Sequence, residues 1–246
     1  MKKVALVTGA YQGIGRATCE RLMAQDFHVI MADIQSCEYL AADYRTKGFS
    51  ATNMRLDLAK SSIFPAIANS IEQQFGKLDV LINNAAILPD MGQHPSDLAE
   101  AVYRHVLEVN QIGPFLLTKA LVPLLKKAPS ARIVNVSSQV AQLAQLSDMN
   151  SPIKDDVCAA YQASKIGVNG NTVLFAKELE PLGIKVNSYC PGWVDTAMNT
   201  EELPDYGEEV RPKTPYEGAD TAIWLATLDS NGPTASFFTD RDALNW

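Results

Sequence analysis

Histidine is scarce in this chain. His28, His94 and His105 are the only three in 246 residues, and no spacing lets two of them share a metal. Cysteine is scarce too: Cys19, Cys37, Cys158 and Cys190 are scattered and form no Cys-x-x-Cys pair. Neither a zinc site nor a disulfide framework is legible, so no metal is expected, and reduced thiols in a cytoplasmic protein are. No run approaches the roughly 18 apolar residues of a membrane span. The apolar run Val4–Val7 is too short for a signal segment. Basic charge is in deficit, with 21 Lys and Arg against 28 Asp and Glu and a net charge of -7. Such a surface argues against nucleic acid as a partner, because a phosphate backbone needs positive charge. It does not exclude a dinucleotide, whose phosphates backbone N–H groups can hold. Linkers, repeats and low-complexity segments are also missing, so one domain over residues 1–246 is expected.

What is present is an alternation of short β-branched runs and longer helical patterns. Strands are expected at Val4–Val7, Phe27–Ala32, Ala51–Leu56, Val80–Ile82, Arg132–Val136, Lys185–Tyr189 and Ala235–Thr239. Helices are expected at Ile14–Ala24, Cys37–Lys47, Ile63–Phe75, Asp97–Val109, Pro114–Lys126, Ala160–Leu179 and Tyr216–Leu228. Apolar strands alternating with helices imply an α/β fold: a Rossmann-type, doubly wound parallel sheet of about seven strands with helices on both faces. The least regular stretches are Gln139–Val157 and Thr196–Pro215. Both follow the C-terminal end of a strand, where open sheets of this kind bind ligands.

Between the first strand and the first helix lies Thr8-Gly9-Ala10-Tyr11-Gln12-Gly13-Ile14-Gly15. Glycines there allow positive φ and let the backbone approach a pyrophosphate, which then faces the N–H groups of the helix start. Asp33 closes the second strand about 20 residues later, where a carboxylate accepts hydrogen bonds from an adenosine ribose. It would repel a 2′-phosphate. No Lys or Arg lies in the turn before Gly13, and none follows Asp33 until Arg45. NAD is therefore expected over NADP. Asp57, after the third strand, can meet an adenine edge or cap a helix. Tyr161 and Lys165 form a Tyr-x-x-x-Lys pair one helical turn apart. With 8 tyrosines in the chain the pair is weak evidence alone. Its place downstream of the glycine turn gives it weight, because a phenol can move the proton that accompanies hydride transfer.

With TGAYQGIG (8–15), NNAA (83–86), Asn110 in EVNQIGPF, NVSS (135–138), YQASK (161–165) and PGWVDT (191–196) in this order, the chain resembles a short-chain dehydrogenase/reductase over its whole length. The resemblance implies a catalytic set of Asn110, Ser138, Tyr161 and Lys165. Tyr161 would be the acid in reduction and the base in oxidation. Lys165 would lower the phenol pKa and reach the nicotinamide ribose. Ser138 would bind the substrate oxygen, with Ser137 as a competitor, and Asn110 would anchor a water of a proton relay, although it could instead cap a helix near Gly113. The implied cofactor residues are Gly9, Tyr11, Gln12, Gly13, Ile14, Gly15, Asp33, Ile34, Asp57, Leu58, Asn84, Ala85, Ala86, Asn110, Tyr161, Lys165, Pro191, Gly192, Val194 and Thr196.

CPGWVDT (190–196) and the ending FFTDRDALNW (237–246) resemble the carbonyl-reductase branch of that family. Three features depart from it. Ser138 and Tyr161 are 161 − 138 = 23 positions apart, a spacing between that of the common short-chain enzymes and that of the carbonyl reductases. NNAA replaces Asn-Asn-Ala-Gly, and Asp33 opposes the branch's NADP preference. The expected activity is NAD-dependent hydride transfer on a small-molecule alcohol or carbonyl substrate. The alternatives are an NADPH-preferring carbonyl reductase and a nucleotide-sensing protein without catalysis. Because Gln139–Val157 precedes the Tyr161 helix and would cover a face used for tetramer assembly, a monomer is expected, with a dimer or tetramer as alternatives.

Overall fold

The computed structural model describes residues 2–199 and 211–246. Its strands show why the apolar runs are nearly continuous. In β1 (Val4–Thr8), Val4 and Leu6 enter one hydrophobic core while Ala5 and Val7 enter another. The same period-two split recurs in β2 (His28–Asp33), β4 (Val80–Asn83) and β5 (Arg132–Val136). With β3 (Ser50–Arg55), β6 (Lys185–Cys190), β7 (Phe237–Thr239) and β8 (Asp242–Leu244), they make one eight-stranded sheet in the order β3-β2-β1-β4-β5-β6-β7-β8. All pairs are parallel except β7 with β8.

A sheet apolar on both faces needs helices on both. One core is closed by α3 (Phe64–Phe75), α5 (Gly113–Leu125) and α7 (Ala159–Leu179), through Ile71, Leu117, Leu121, Phe175 and Leu179. The other is closed by α1 (Gly13–Met23), α2 (Glu38–Thr46) and α9 (Asp220–Ala226), through Leu22, Ala41, Ile223 and Leu225. The chain winds outward from β1 in one direction to β2 and β3 and in the other to β4, β5 and β6. The crevice at the C-terminal ends of β1 and β4 is thus the topological switch point.

Departures from the expected elements have local causes. Where two helices with a break near Asn110 were expected, α4 (Glu100–Leu107) runs through a π turn at Glu108–Ile112 into α5. The helix expected from Tyr216 to Leu228 divides at Ala219 into α8 (Pro215–Gly218) and α9, and α8 starts with a capping box of Thr214 and Glu217. The strand expected from Ala235 begins at Phe237, because Ala235 takes a positive φ of 54°. The irregular stretch after β5 holds a short helix, α6 (Leu143–Ser147). Of the other irregular stretch, residues 200–210 lie outside the described ones. Among the described residues no helix is long and apolar enough to cross a membrane, and no cluster of His, Cys, Asp and Glu could hold a metal. The four cysteines are buried and unpaired.

Candidate active site

The glycine turn is locked from below by two polar side chains. Thr8 Oγ1 accepts the Asn84 and Ala85 N–H groups at 3.0 Å each, and Asn84 Nδ2 donates to the Thr8 carbonyl at 2.8 Å. This draws the turn onto the end of β4. Gly9 has φ +68°, and a Cβ there would stand 2.8 Å from Asn84 Nδ2. A Cβ on Gly15 would stand 2.0 Å from the Gly9 carbonyl oxygen, so α1 leaves the strand with backbone against backbone. Helix α1 has no side-chain cap at Gln12 and no acidic residue in its first turn. Its opening N–H groups are left for an anion.

Asp33, at the end of β2, turns its carboxylate toward this start. Oδ2 accepts the Tyr11 N–H at 3.0 Å and Oδ1 the Gln35 N–H at 2.9 Å. Asp57 closes a turn of its own, accepting the Ala59 N–H at 3.0 Å, and pairs with Lys60 at 3.4 Å. It does not cap α3, which begins at Phe64.

Tyr161 and Lys165 lie on the first turns of α7. Lys165 is buried, and its Nζ donates to the Val136 carbonyl at 2.7 Å, 5.4 Å from the centre of the Tyr161 ring. Burial pushes the ammonium down to about 8. Burial also pushes the Tyr161 phenol above its ordinary value. The Cys190 and Cys158 side chains add to this where they ionise, and a hydrogen bond with Ser138 draws it back in part. The phenol stands above its ordinary value with the Lys165 ammonium beside it, because that ammonium donates to the Val136 carbonyl and desolvation of the phenolate is the largest influence. Ser138 also accepts the Val140 N–H at 3.4 Å, which starts a short 3₁₀ turn. Ser137 is buried, and its hydroxyl has no partner among the described residues.

Asn110 does not cap a helix. Its side chain accepts the Ile87 N–H at 2.8 Å and donates to the Ile87 carbonyl at 2.9 Å and to Ser164 Oγ at 3.2 Å. The π turn presents it so, tying the loop after β4 to α7. Ala86 takes its place in this loop without a positive φ, so alanine fits where the resembled family has glycine.

These pieces surround a cavity of about 360 Å³. Every expected cofactor residue lines it except Asn110, Gly192 and Val194. Ser138 is outside the lining as well, while Ser137 is part of it. Val194 is buried and bridges to Lys213. The lining includes residues that the sequence did not single out, among them Ile87, His105, Val109 and Met198. His105 is exposed on α4, and its place in the lining depends on how that helix packs, which spacing does not reveal. The donor set fits a nicotinamide dinucleotide: uncapped amides for a pyrophosphate, a carboxylate for ribose hydroxyls, and Lys165 beside Tyr161 for the reactive end.

Comparison with known proteins gives the same direction. Residues 3–207 match the family model described as short chain dehydrogenase. Similar proteins include a 3-oxoacyl-(acyl-carrier-protein) reductase of Synechocystis, 32% identical over 97% of this chain and 93% of the relative. Carbonyl reductase (NADPH) 1 of Sus scrofa is 30% identical over 99% of this chain and 94% of its own. Among solved structures, a Shigella flexneri 2a protein described as a short chain dehydrogenase and complexed with NADP superposes with a TM-score of 0.84. It is 27% identical, and the match covers 96% of each chain.

Proposed function

The chain belongs to the short-chain dehydrogenase family of oxidoreductases, and on that premise we propose that it moves hydride between NAD(H) and a secondary alcohol or its ketone, or an aldehyde. The observation that carries this reading is a single cavity lined both by Asp33 with the glycine turn and by Tyr161 with Lys165. When bound, the nicotinamide supplies or accepts the hydride. The chain does the rest. The N–H groups at the start of α1 bind the pyrophosphate, and the Asp33 carboxylate accepts from the adenosine ribose.

In reduction, the Tyr161 hydroxyl gives its proton to the substrate oxygen while Ser138 donates a hydrogen bond to the same oxygen. The phenol is protonated at neutral pH, the form the acid role requires, while burial raises its pKa and lowers its acid strength. In oxidation Tyr161 takes the proton back, and an ammonium at Lys165 favours the phenolate that does so. Asn110 holds the Ile87 segment and α7 in register around these groups.

NAD is the proposed cofactor because Lys165 is the only Lys or Arg in the cavity lining among the described residues. No cation there meets a 2′-phosphate, and Asp33 opposes one. The second reading, an NADPH-dependent reductase, draws on the relative named for NADPH and the neighbour complexed with NADP. A panel of ketones, aldehydes and alcohols with NAD(H) and NADP(H), followed by absorbance of the reduced nicotinamide, tests both. The catalytic efficiency with NAD should exceed that with NADP by about tenfold, roughly 1.4 kcal/mol, and Asp33→Ala should narrow the gap. Equal or better efficiency with NADP in the parent protein would select the second reading. No turnover with any member of the panel would count against both.

A further inference from the structure

The helix that carries Tyr161 does not cap itself. Cys158 stands at its N-cap without a side-chain cap hydrogen bond, and its first turn has no acidic residue. The acceptor comes from 70 residues earlier in the chain. Asp90, in the loop after β4, is fully buried, and its Oδ2 accepts the Ala160 N–H at 2.7 Å and the Tyr161 N–H at 3.2 Å. The same loop is fastened twice more, by the Gly92 N–H on the Val157 carbonyl at 2.6 Å and by Ile87 through Asn110 to Ser164. A cap needs only one acceptor, which Ser, Thr or Asn supplies without a charge. Here a whole carboxylate is buried, and its Oδ1 has no hydrogen-bond partner among the described residues. Burying such a group is costly; the N-terminal end of α7 offsets part of that cost, and the carboxylate also stands against Tyr161.

Resting on the reading of Tyr161 as the proton-transfer residue, we propose that Asp90 is a positioning residue of the reaction: it fixes the first turn of α7 and sets a buried carboxylate against Tyr161. Besides Asp90 itself, the groups around the phenol come from four places. Cys190 stands at the end of β6, Cys158 at the N-cap of α7, Ser138 after β5, and Lys165 one turn further along α7. Both thiols are themselves pushed up by burial, Cys158 to about 12, and so stay neutral at working pH. Ser138 carries no charge. Asp90 is left as the negative charge of this set, set against the Lys165 ammonium, and it acts on Tyr161 in the upward direction.

The experiment compares the parent protein with Asp90→Asn, Asp90→Ala and Tyr161→Phe, using the alcohol of best turnover from the panel. It records thermal unfolding, binding of NADH by fluorescence, and the pH profile of kcat and kcat/KM in oxidation. Asp90→Asn keeps an acceptor for the two amides and should fold and bind NADH within about twofold of the parent. Its oxidation profile should shift to lower pH by about half a unit, about threefold faster on the rising limb, since losing a nearby negative charge favours phenolate. Asp90→Ala should lose at least about tenfold in kcat with NADH binding retained, and Asp90→Asn should restore most of that loss. A profile of Asp90→Asn that superimposes on the parent overturns the proposal, including where Asp90→Ala fails to fold. An unchanged kcat in folded Asp90→Ala overturns it as well. Turnover retained by Tyr161→Phe overturns the assignment of Tyr161, a failure separate from that of Asp90.

Discussion

Replacing Lys165 with methionine should remove a pH-dependent cost of folding. The ammonium is 2% exposed and is pushed down from 10.5 to about 8, chiefly by burial. At about 1.4 kcal/mol per pKa unit, holding the protonated lysine in the folded state at neutral pH costs about 3 kcal/mol relative to the unfolded chain. The folded-state pKa is the lower of the two. Between about pH 8 and pH 10.5 the unfolded chain therefore keeps a proton that the folded chain has released, and the cost fades as pH rises. Methionine has a similar shape and no proton, but it leaves the Val136 carbonyl without its donor, a loss of roughly 1–3 kcal/mol. At pH 7 the two effects nearly cancel. Their pH dependence does not: from about pH 7 to pH 10 the parent should gain about 2 kcal/mol on the variant. Urea unfolding under reducing conditions, followed by tryptophan fluorescence at several pH values, measures that difference. A constant gap between parent and variant across the range would refute the argument.

Two further outcomes follow from particular contacts. Arg132 is buried at the start of β5, and its guanidinium donates to the carbonyls of Leu228, Asp229 and Ala131 at 2.7–3.1 Å. Arg132→Ala should cost about 2–4 kcal/mol in urea unfolding, and a loss below about 1 kcal/mol would show that water replaces these bonds. The segment before α7 is tied down by the Gln162 side chain on the Asp156 carbonyl and the Gln142 side chain on the Asn245 carbonyl. If it covers the assembly face, light scattering should find a species near 26.8 kDa, whereas a stable species of four times that mass would show that this face still pairs, with Leu174, 61% exposed on α7, as its apolar contact.

Much of this architecture is legible because its physics is local or periodic. Strands buried on both faces read as unbroken apolar runs, as Val4–Val7 and Val80–Ile82 do. Gly9 and Gly15 mark a turn where a Cβ has no room. Lys165 follows Tyr161 by one helical turn whatever surrounds the helix. The π turn at Glu108–Ile112 carries no comparable mark, and so the direction of the Asn110 side chain was not legible. Strand β8 is a three-residue edge that exists only through its antiparallel pairing with β7.

By itself, then, the chain determined its layers, its glycine turn, the carboxylate at Asp33 and the pairing of Tyr161 with Lys165. Each depends on residues adjacent in sequence or repeated at a fixed period. Only the tertiary structure decided what those groups feel. The Lys165 ammonium meets the Val136 carbonyl across 29 residues, and the Asp90 carboxylate meets the Tyr161 helix across 70. Desolvation and distant charge act through space, so the proton affinity of Tyr161 is a property of the fold around it and not of the motif that names it.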